Sequence, residues 1–319
     1  MRLDDFIAGK KSIGIAGHVR PDGDCAGSTL AVYNYIKTYY PDIEVSAYLE
    51  PIPNIYKFLP RSEELKLASE YVDEVHDLFI ALDCSGPSRL GDADELFRSA
   101  RETLCIDHHI NEGSFADHDF IFPEASSTCE LVADTIDHDR ITKEIAECIY
   151  TGMVTDTGVF QYECTHRSTM ELAGELMEKG IDYPMIVDRV FFEKSFEQNK
   201  ITGVALLNSK LYADGRILGS YVTREEMEKY NALPKHMEGI GSMLRSTKGV
   251  ELAVLLYPLA DGRIKGSSRS AKTFDCAAFA SRHGGGGHVR AAGFSFDGGD
   301  IEKLLDEVCV EATAIMEDN

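Results

Sequence analysis

Residues 13–24, IGIAGHVRPDGD, begin as a short apolar run and continue into one histidine and two aspartates. Residues 104–109, LCIDHH, repeat the same design further along the chain. Short apolar runs of this kind are typical of strands in a parallel sheet, and ligands of such sheets bind at the carboxyl ends of the strands. The two stretches therefore predict an α/β fold with a polar site at that edge.

Two further segments end in a carboxylate. The apolar run at residues 78–82 is followed by Asp83, and a helix-like stretch at residues 149–155 is followed by Asp156. Four separate segments thus deliver carboxylate or imidazole groups to what can be one sheet edge, which is what a two-metal centre requires. The pattern predicts a di-metal hydrolase.

The first cluster combines His18, which supplies a nitrogen, with Asp22 and Asp24, which lie two residues apart. Pro21 and Gly23 allow the chain to turn tightly, so the two carboxylates can face different metal ions. Alone, this spacing is equally typical of a solvated turn. Its position after a strand, together with the other three motifs, indicates a site.

The other candidates also have simpler explanations. Asp83 precedes Gly86-Pro87, where a turn residue or a helix N-cap is common. Neighbours in Asp107-His108-His109 point in opposite directions on an extended chain, so all three cannot bind one metal unless the backbone turns. Asp117-His118-Asp119 and Asp137-His138-Asp139 fall in places where solvated charges are common, and we expect neither to bind metal.

Four motifs, HVRPDGDCAGS, ALDCS, IDHH and VTDTG, resemble in content and order those of the DHH phosphoesterase superfamily. GGGGHVRAAG at residues 284–293 resembles the GGGH motif of the DHH-associated substrate domain. In length and layout the chain is similar to the bacterial nanoRNase and pAp phosphatase family. That family overlaps with the phosphodiesterases that finish cyclic-di-AMP breakdown.

The resemblance implies two divalent metal ions, with Mn²⁺ as the expected metal, and a hydroxide between them that attacks phosphorus. It implies that His18, Asp22 and Asp83 hold one ion, and that Asp24, Asp83, His108 and Asp156 hold the other. His109 then lies beside the substrate, and Asp107 orients an imidazole. The substrate-binding residues that the resemblance implies are Arg269, Gly285, Gly286, Gly287 and His288.

Residues 1–185 alternate strand-like and helix-like stretches, which predicts a largely parallel sheet flanked by helices. We expect residues 186–208 to form a helical linker, and residues 209–319 to form a smaller α/β substrate-binding domain that carries the GGGH motif. We expect the four glycines to form a loop whose backbone N–H groups bind an anion. A cleft between the domains is the expected site.

Composition limits the partners. The 319 residues are 44% hydrophobic and 27% charged, which is typical of a globular protein. We expect no membrane span, because no apolar stretch approaches the roughly 20 residues that one requires. Because the first residues have no apolar core of signal-peptide type, we expect a cytoplasmic location. A net charge of −22 argues against a long duplex, because binding to polymeric nucleic acid depends on clustered Lys and Arg. We expect short RNA oligonucleotides or small nucleotide phosphates, no membrane, and leave a homodimer open.

The eight cysteines form no CxxC pair, which favours reduced thiols over a disulfide framework or a structural zinc site. Cys25, Cys84 and Cys105 lie close in sequence to the predicted ligands. Burial in the sheet is one explanation for them, and an oxidation-sensitive active site is the other.

Four alternatives remain open at this point. A cyclic-di-AMP phosphodiesterase would use the same motifs. A family II inorganic pyrophosphatase shares the catalytic half but lacks the glycine-histidine motif. A RecJ-type exonuclease normally needs a longer chain and a basic path for DNA. A nucleotide-binding regulator without turnover is the alternative from another functional class.

Overall fold

The computed structural model describes residues 1–110 and 113–317. The chain divides into two compact units, Met1–Glu193 and Lys194–Asn319. Among the described residues, none of the helices combines the length and the apolar character that a membrane span requires.

The first unit is built on a five-stranded sheet in which every neighbouring pair is parallel, in the order β2-β1-β3-β4-β5. Its strands are β1 (Ser12–Ala16), β2 (Glu44–Tyr48), β3 (Leu78–Leu82), β4 (Thr103–Asp107) and β5 (His118–Ile121). Because β1, β3 and β4 run the same way, the polar residues that follow them reach one edge. The predicted parallel sheet with polar clusters at its carboxyl edge is confirmed.

Helices cover both faces of this sheet. They are α1 (Leu3–Ile7), α2 (Gly23–Tyr39), α3 (Ala93–Ser99), α4 (Thr128–Thr135), α5 (Lys143–Asp156), α6 (Arg167–Glu178) and α7 (Tyr183–Val187), the last followed by a π-helical turn, Asp188–Phe192. The larger core joins α2, α4 and α5 to one face through residues such as Leu30, Val132 and Ile149. Leu96 and Phe97 of α3 pack with Phe79 on the other face. Burial of both faces explains why the strands are nearly continuous apolar runs.

The second unit contains a mixed six-stranded sheet in the order β10-β11-β9-β8-β7-β6, in which only β7 and β8 are parallel among the pairs of described strands. Its strands are β6 (Lys210–Tyr212), β7 (Ile217–Tyr221), β8 (Leu252–Pro258), β9 (Ile264–Ser270), β10 (Gly286–His288) and β11 (Ala291–Phe296). Its helices are α8 (Phe196–Leu207), α9 (Arg224–Lys229), α10 (Ile240–Arg245), α11 (Cys276–Ser281) and α12 (Ile301–Glu317). Residues of α11 and α12 pack on one face, and residues of α8, α9 and α10 pack on the other.

Short 3₁₀ turns complete the described structure. They are Asn54–Tyr56, Ser62–Glu64, Ala68–Glu70, Pro87–Arg89, His138–Arg140, Ala213–Gly215 and Pro234–Met237.

The expected glycine loop is wrong over residues 286–288, which form the edge strand β10 paired with β11. The Ala-Ala-Gly segment after it, expected as a turn, begins β11. Glycine is needed here for close approach of two backbones. A Cβ at Gly285 would lie 2.1 Å from the carbonyl oxygen of Gly293, and one at Gly287 would lie 2.6 Å from that of Ala291.

Two other boundaries differ from expectation. The polar composition of residues 111–120 predicts irregular structure, but His118 begins the edge strand β5, whose first two residues are exposed. Residues 111 and 112 lie outside the described part of the chain. The apolar residues between Ser28 and Tyr39 predict a helix that starts at Ser28, but α2 already begins at Gly23. The earlier start is explained by the Asp22 carboxylate, which caps the helix by accepting hydrogen bonds from the amides of Asp24 and Cys25.

Candidate metal centre

The loop after β1 and the residue after β3 form one group of facing side chains. His18 Nε2 lies 3.6 Å from Asp22 Oδ1 and 3.4 Å from Asp83 Oδ2. Asp83 has a left-handed backbone, φ 57°, which turns its side chain out of the strand direction and is tolerated better by Asp than by most residues. No helix N-cap explains Asp83, since the following 3₁₀ turn is preceded by Gly86.

The residues after β4 and at the end of α5 form a second group. His108 Nε2 lies 3.1 Å from Asp156 Oδ2, 3.6 Å from Asp83 Oδ1 and 3.8 Å from Asp24 Oδ2. The two oxygens of Asp83 therefore face different histidines, one in each group. The structure brings together all six side chains that the sequence predicts as metal ligands.

Backbone contacts orient both imidazoles. Nδ1 of His18 lies 2.9 Å from the carbonyl oxygen of Val19, and Nδ1 of His108 lies 3.4 Å from that of Ala125. An N–H at each Nδ1 can donate to these carbonyls, which leaves Nε2 facing the carboxylates, where it can bind a cation after losing its proton. Histidines that bind metals are held in this way by their other ring nitrogen.

The N-terminus of α4 supports the centre, and sequence reasoning largely missed it. The amides of Thr128 and Cys129 donate to the two carboxylate oxygens of Asp24, at 2.6 and 2.9 Å, and Thr128 Oγ1 lies 3.0 Å from Asp83 Oδ1. The signal in the sequence is Ser126-Ser127-Thr128, which resembles a family loop near the second metal and is equally typical of a helix cap. Both descriptions apply, because Ser127 also caps α4.

Gly152 of α5 completes this packing. A Cβ there would lie 2.6 Å from Asp24 Oδ1 and 2.2 Å from Cys129 Sγ. The absence of a side chain lets α5 approach the buried carboxylate, so that Asp156 at the end of the helix can face His108.

The electrostatics of the centre show an excess of buried acidic groups. Burial, together with the charges of Asp83 and Asp156, raises the pKa of the Asp24 carboxyl well above its usual range. Burial lowers the pKa of His108, but its contact with Asp156 and the charge of Asp24 outweigh this and raise that pKa to about 10. Burial likewise opposes a contact with Asp22 that raises the pKa of His18. The buried carboxylates of the centre therefore need additional positive charge to compensate them.

The centre fits divalent cations. Neighbouring ligands of a cation with bonds of about 2.1 Å lie about 3 to 3.5 Å apart, close to the 3.1–3.8 Å measured between the histidine and aspartate atoms. In addition, within residues 1–110 and 113–317, the buried Nε2 of His108 has no hydrogen-bond partner. An orphaned imidazole nitrogen aimed at three carboxylates is the arrangement of a metal ligand.

His109 and Asp107 lie beside this centre. Asp107 Oδ1 accepts hydrogen bonds from the backbone N–H of His109, at 3.1 Å, and from its Nδ1, at 2.8 Å. That hydrogen bond, the largest of its influences, raises the pKa of His109. Although His109 Nδ1 is also 3.5 Å from Asp83 Oδ1, its engagement with Asp107 makes that nitrogen a poor metal ligand.

All eight cysteines lie in the described part of the chain and are free thiols. Cys25, Cys84 and Cys105 are buried, and burial raises the pKa of each, to about 12 for Cys25. Although Cys25 lies close to His18 and Asp83, its thiol donates to the carbonyl oxygen of His18. Protonated, buried thiols are unreactive, so the structure favours packing over oxidation sensitivity.

The aspartate-histidine clusters set aside on sequence have other contacts. His118 Nε2 lies 3.1 Å from Glu102 Oε1, and His138 Nδ1 lies 2.7 Å from Glu175 Oε2. Among the residues that the structure describes, groups able to hold a metal come only from the sheet edge of the first unit.

The predicted substrate-binding residues lie in the second unit, around a cavity of about 670 Å³. Arg269, Gly286, Gly287 and His288 line it, whereas Gly285 is not among its lining residues. Arg269 Nη1 donates to Ser267 Oγ at 3.2 Å and to the carbonyl oxygen of Ser268 at 2.9 Å. A cavity of this size fits a nucleotide-sized ligand.

Comparison with known proteins agrees with this geometry. Residues 12–153 match the DHH family, N-terminal domain, and residues 214–313 match the DHHA1 domain. The chain is also 30% identical to an exopolyphosphatase-related protein from Bacteroides fragilis, whose crystal structure superposes with a TM-score of 0.85 over 99% of this chain and 96% of that one.

The chain belongs to the DHH family. It is a metal-dependent hydrolase of phosphate esters. Its curated relatives include the bifunctional oligoribonuclease and PAP phosphatase NrnA of Thermus thermophilus, 29% identical over 92% of this chain and 87% of the relative. The protein of the same name from Bacillus subtilis is 27% identical over 92% and 93%.

Proposed function

We propose that this DHH-family enzyme hydrolyses short oligoribonucleotides, pApA-type dinucleotides among them, and 3′-phosphoadenosine 5′-phosphate (pAp). Two Mn²⁺ ions would be held at the sheet edge of the first unit, one by His18, Asp22 and Asp83 and the other by Asp24, Asp83, His108 and Asp156. When bound, such a pair of cations lowers the pKa of a water molecule and offsets charge on the phosphoryl oxygens.

The observation that carries the metal assignment is the orientation of Asp83. Its Oδ2 faces His18 and its Oδ1 faces His108, so one carboxylate belongs to both groups of ligands. Asp83 is 2% exposed, and a carboxylate that is buried among other acidic groups requires compensating positive charge. Two divalent cations provide that charge. Mixed imidazole and carboxylate ligation is compatible with manganese.

The remaining residues of the edge have supporting roles. The amides of Thr128 and Cys129 fix Asp24, so its oxygens keep their direction when a metal binds. His109, held by Asp107 and half-exposed, is placed to donate a proton to the leaving oxygen or to stabilise developing charge. Its raised pKa favours the protonated form that this role needs.

Substrate choice is proposed to rest on the second unit. Arg269 and His288 lie on the cavity wall, where they would bind a phosphate other than the one being hydrolysed. The oligoribonuclease and PAP phosphatase activities for which the Thermus and Bacillus relatives are named support substrates that carry such a second phosphate. Residues 1–185 would thus form the catalytic domain, residues 186–208 the helical linker, and residues 209–319 the domain that selects the substrate.

We further propose a cytoplasmic enzyme that acts on short substrates. The free cysteines suit a reducing compartment. The net charge of −22 disfavours long duplex nucleic acid, while a local cluster of basic side chains can still bind a short anion.

The test is a product-resolved assay with Mn²⁺ against pAp, pApA, longer oligoadenylates and cyclic-di-AMP. The proposal predicts inorganic phosphate from pAp and mononucleotides from the linear oligomers. Exclusive cleavage of cyclic-di-AMP would replace the proposed substrate class. Binding of these nucleotides without any hydrolysis would identify a regulator instead.

A further inference from the structure

Three side chains of β9 share one face of the second sheet. Lys265, Ser267 and Arg269 are every second residue of β9, and alternate residues of a strand point to the same side of the sheet. All three line the 670 Å³ cavity. The strand therefore presents polar groups at three successive positions along the cavity floor.

Cross-strand pairing extends this face into rows. Arg269 pairs with Ala291, which pairs with His288, while Ser267 pairs with Gly293, which pairs with Gly286. Lys265 pairs with Ser295 on one side and with Tyr257 on the other. From Ser267 to Gly286 the middle row is built of small residues. The cavity floor is therefore low between the row with Arg269 and His288 and the row with Lys265.

Arg269 and Lys265 differ in how they are held. Arg269 is fixed by Ser267 Oγ and the Ser268 carbonyl, and its Cγ lies 3.4 Å from where a Cβ on Gly241 would stand. Lys265 is exposed, and among residues 1–110 and 113–317 its ammonium has neither an ion-pair nor a hydrogen-bond partner. Its positive charge is available to a ligand.

Arg269 and Lys265 contribute positive charge from two different positions of β9. Their Cα atoms are four residues apart on an antiparallel strand, a separation of about 14 Å. The guanidinium is committed at the Ser267 position, so the lysine adds positive charge further along the strand. Of the other charged residues lining the cavity, Lys235 is basic and Glu238 is acidic, which leaves the cavity positive in a strongly acidic protein.

We propose that Lys265 is a length-determining residue that binds an additional phosphate of oligoribonucleotides with three or more nucleotides. The inference rests on the proposed function, in which Arg269 and His288 bind the first remote phosphate. In this inference the second phosphate of pAp or of a dinucleotide is held at Arg269 and His288, and only a longer oligomer has a further phosphate for Lys265. The lysine thus raises the activity on longer substrates without taking part in the reaction.

The experiment compares wild-type enzyme with K265A, K265R and the control K248A, which removes an exposed lysine of the same unit that does not line the cavity. Each is assayed with Mn²⁺ on pAp, pApA, pApApA and pApApApA. We expect K265A to lower kcat/KM about tenfold on the tri- and tetranucleotide through KM, and less than about twofold on pAp and pApA. K265R and K248A should keep the wild-type length profile.

Salt dependence provides a second readout that a structural role would not change. Loss of one phosphate contact to a single strand should reduce the slope of log KM against log salt concentration by about 0.7 for the tri- and tetranucleotide, and leave it unchanged for pAp and pApA. Equal losses of K265A at all lengths, or no loss on the longer substrates, would overturn the inference while leaving the proposed function intact. Failure of the wild-type enzyme to hydrolyse any of the four substrates would overturn the proposed function, and this inference with it.

Discussion

The two sheets of this protein place charge in opposite ways. At the edge of the first sheet, His18 and His108 are surrounded by aspartate oxygens at 3.1–3.8 Å, and Asp24 and Asp83 are almost fully buried. On the face of the second sheet, Arg269 and Lys265 stand over small residues in an open cavity. The edge of the first sheet thus contains buried negative charge, and the face of the second sheet contains positive charge that is accessible to a ligand.

The difference indicates what each region needs. Buried carboxylates that face one another disfavour ionisation, as the raised pKa of Asp24 shows, and cations relieve this. The basic face of the second sheet does not need bound counter-ions, because water solvates its charges until an anion binds. Under the proposed function, a substrate phosphate ester would bind metal ions in the first region and basic side chains in the second, and substitutions can remove each separately.

The largest expected effect comes from Asp83→Asn. The neutral amide cannot serve both groups of ligands, so we expect activity on every substrate to fall about a thousandfold, as expected for loss of several kcal/mol of transition-state stabilisation. Asp119→Asn, at an exposed aspartate of β5, is the matched control and should stay within about twofold. Retention of more than about a tenth of wild-type kcat by a folded Asp83→Asn enzyme would remove the bridging assignment.

His109→Ala separates chemistry from metal binding within the first region. Because Asp107 holds the ring nitrogen nearest the centre, we expect kcat to fall about a hundredfold while metal content is unchanged. His108→Ala is the comparison, since it should lose metal as well as activity. Metal content is measured by plasma mass spectrometry, and loss of a full equivalent from His109→Ala would show that the two histidines have been given the wrong roles.

Arg269→Ala addresses the second region. Charge-assisted contacts of this kind contribute about 1.5 to 3 kcal/mol, so kcat/KM for pAp or a dinucleotide should fall roughly ten- to a hundredfold. Bis-p-nitrophenyl phosphate, which has one phosphodiester and no remote phosphate, should be hydrolysed almost as before. Equal losses on both substrates would mean that Arg269 supports the centre or the fold, and the contrast between the regions would fail.

Gly152→Ala tests how tightly the first region is packed. The added methyl group would crowd Asp24 and Cys129, so we expect a loss of about 1 to 3 kcal/mol in stability and weaker metal binding. Gly174→Ala, on the exposed side of α6 with nothing within 4 Å, is the matched control and should be neutral or stabilising. Chemical denaturation of both variants gives the answer, and equal stability would contradict the packing described for α5.

The sequence was a good guide to the first region because its information is local. Apolar runs predict β1, β3 and β4, and a parallel sheet necessarily brings the following residues to one edge. The contribution of α4 could not be predicted in the same way. Thr128 lies 104 positions from Asp24, and nothing in either segment specifies that backbone amides meet that carboxylate.

The second region shows the opposite limit. Four consecutive glycines suggested a loop, whereas three residues from Gly286 to His288 pair with β11. Glycine permits the close approach of strand backbones as readily as it permits a turn, so the residue type alone does not distinguish them. The alternation of Lys265, Ser267 and Arg269 was visible in the sequence but gained meaning only when the pairing showed which residues lie beside them.

The central claim, that buried acidic groups of the first region exist to hold two cations, is tested most directly by metal stoichiometry. Wild-type protein and His18→Ala are equilibrated with Mn²⁺ by dialysis, and bound manganese is measured by plasma mass spectrometry. The account predicts two ions per chain in wild-type protein and about one after loss of His18, which belongs to one group of ligands only. One ion or none in the wild-type protein would contradict it.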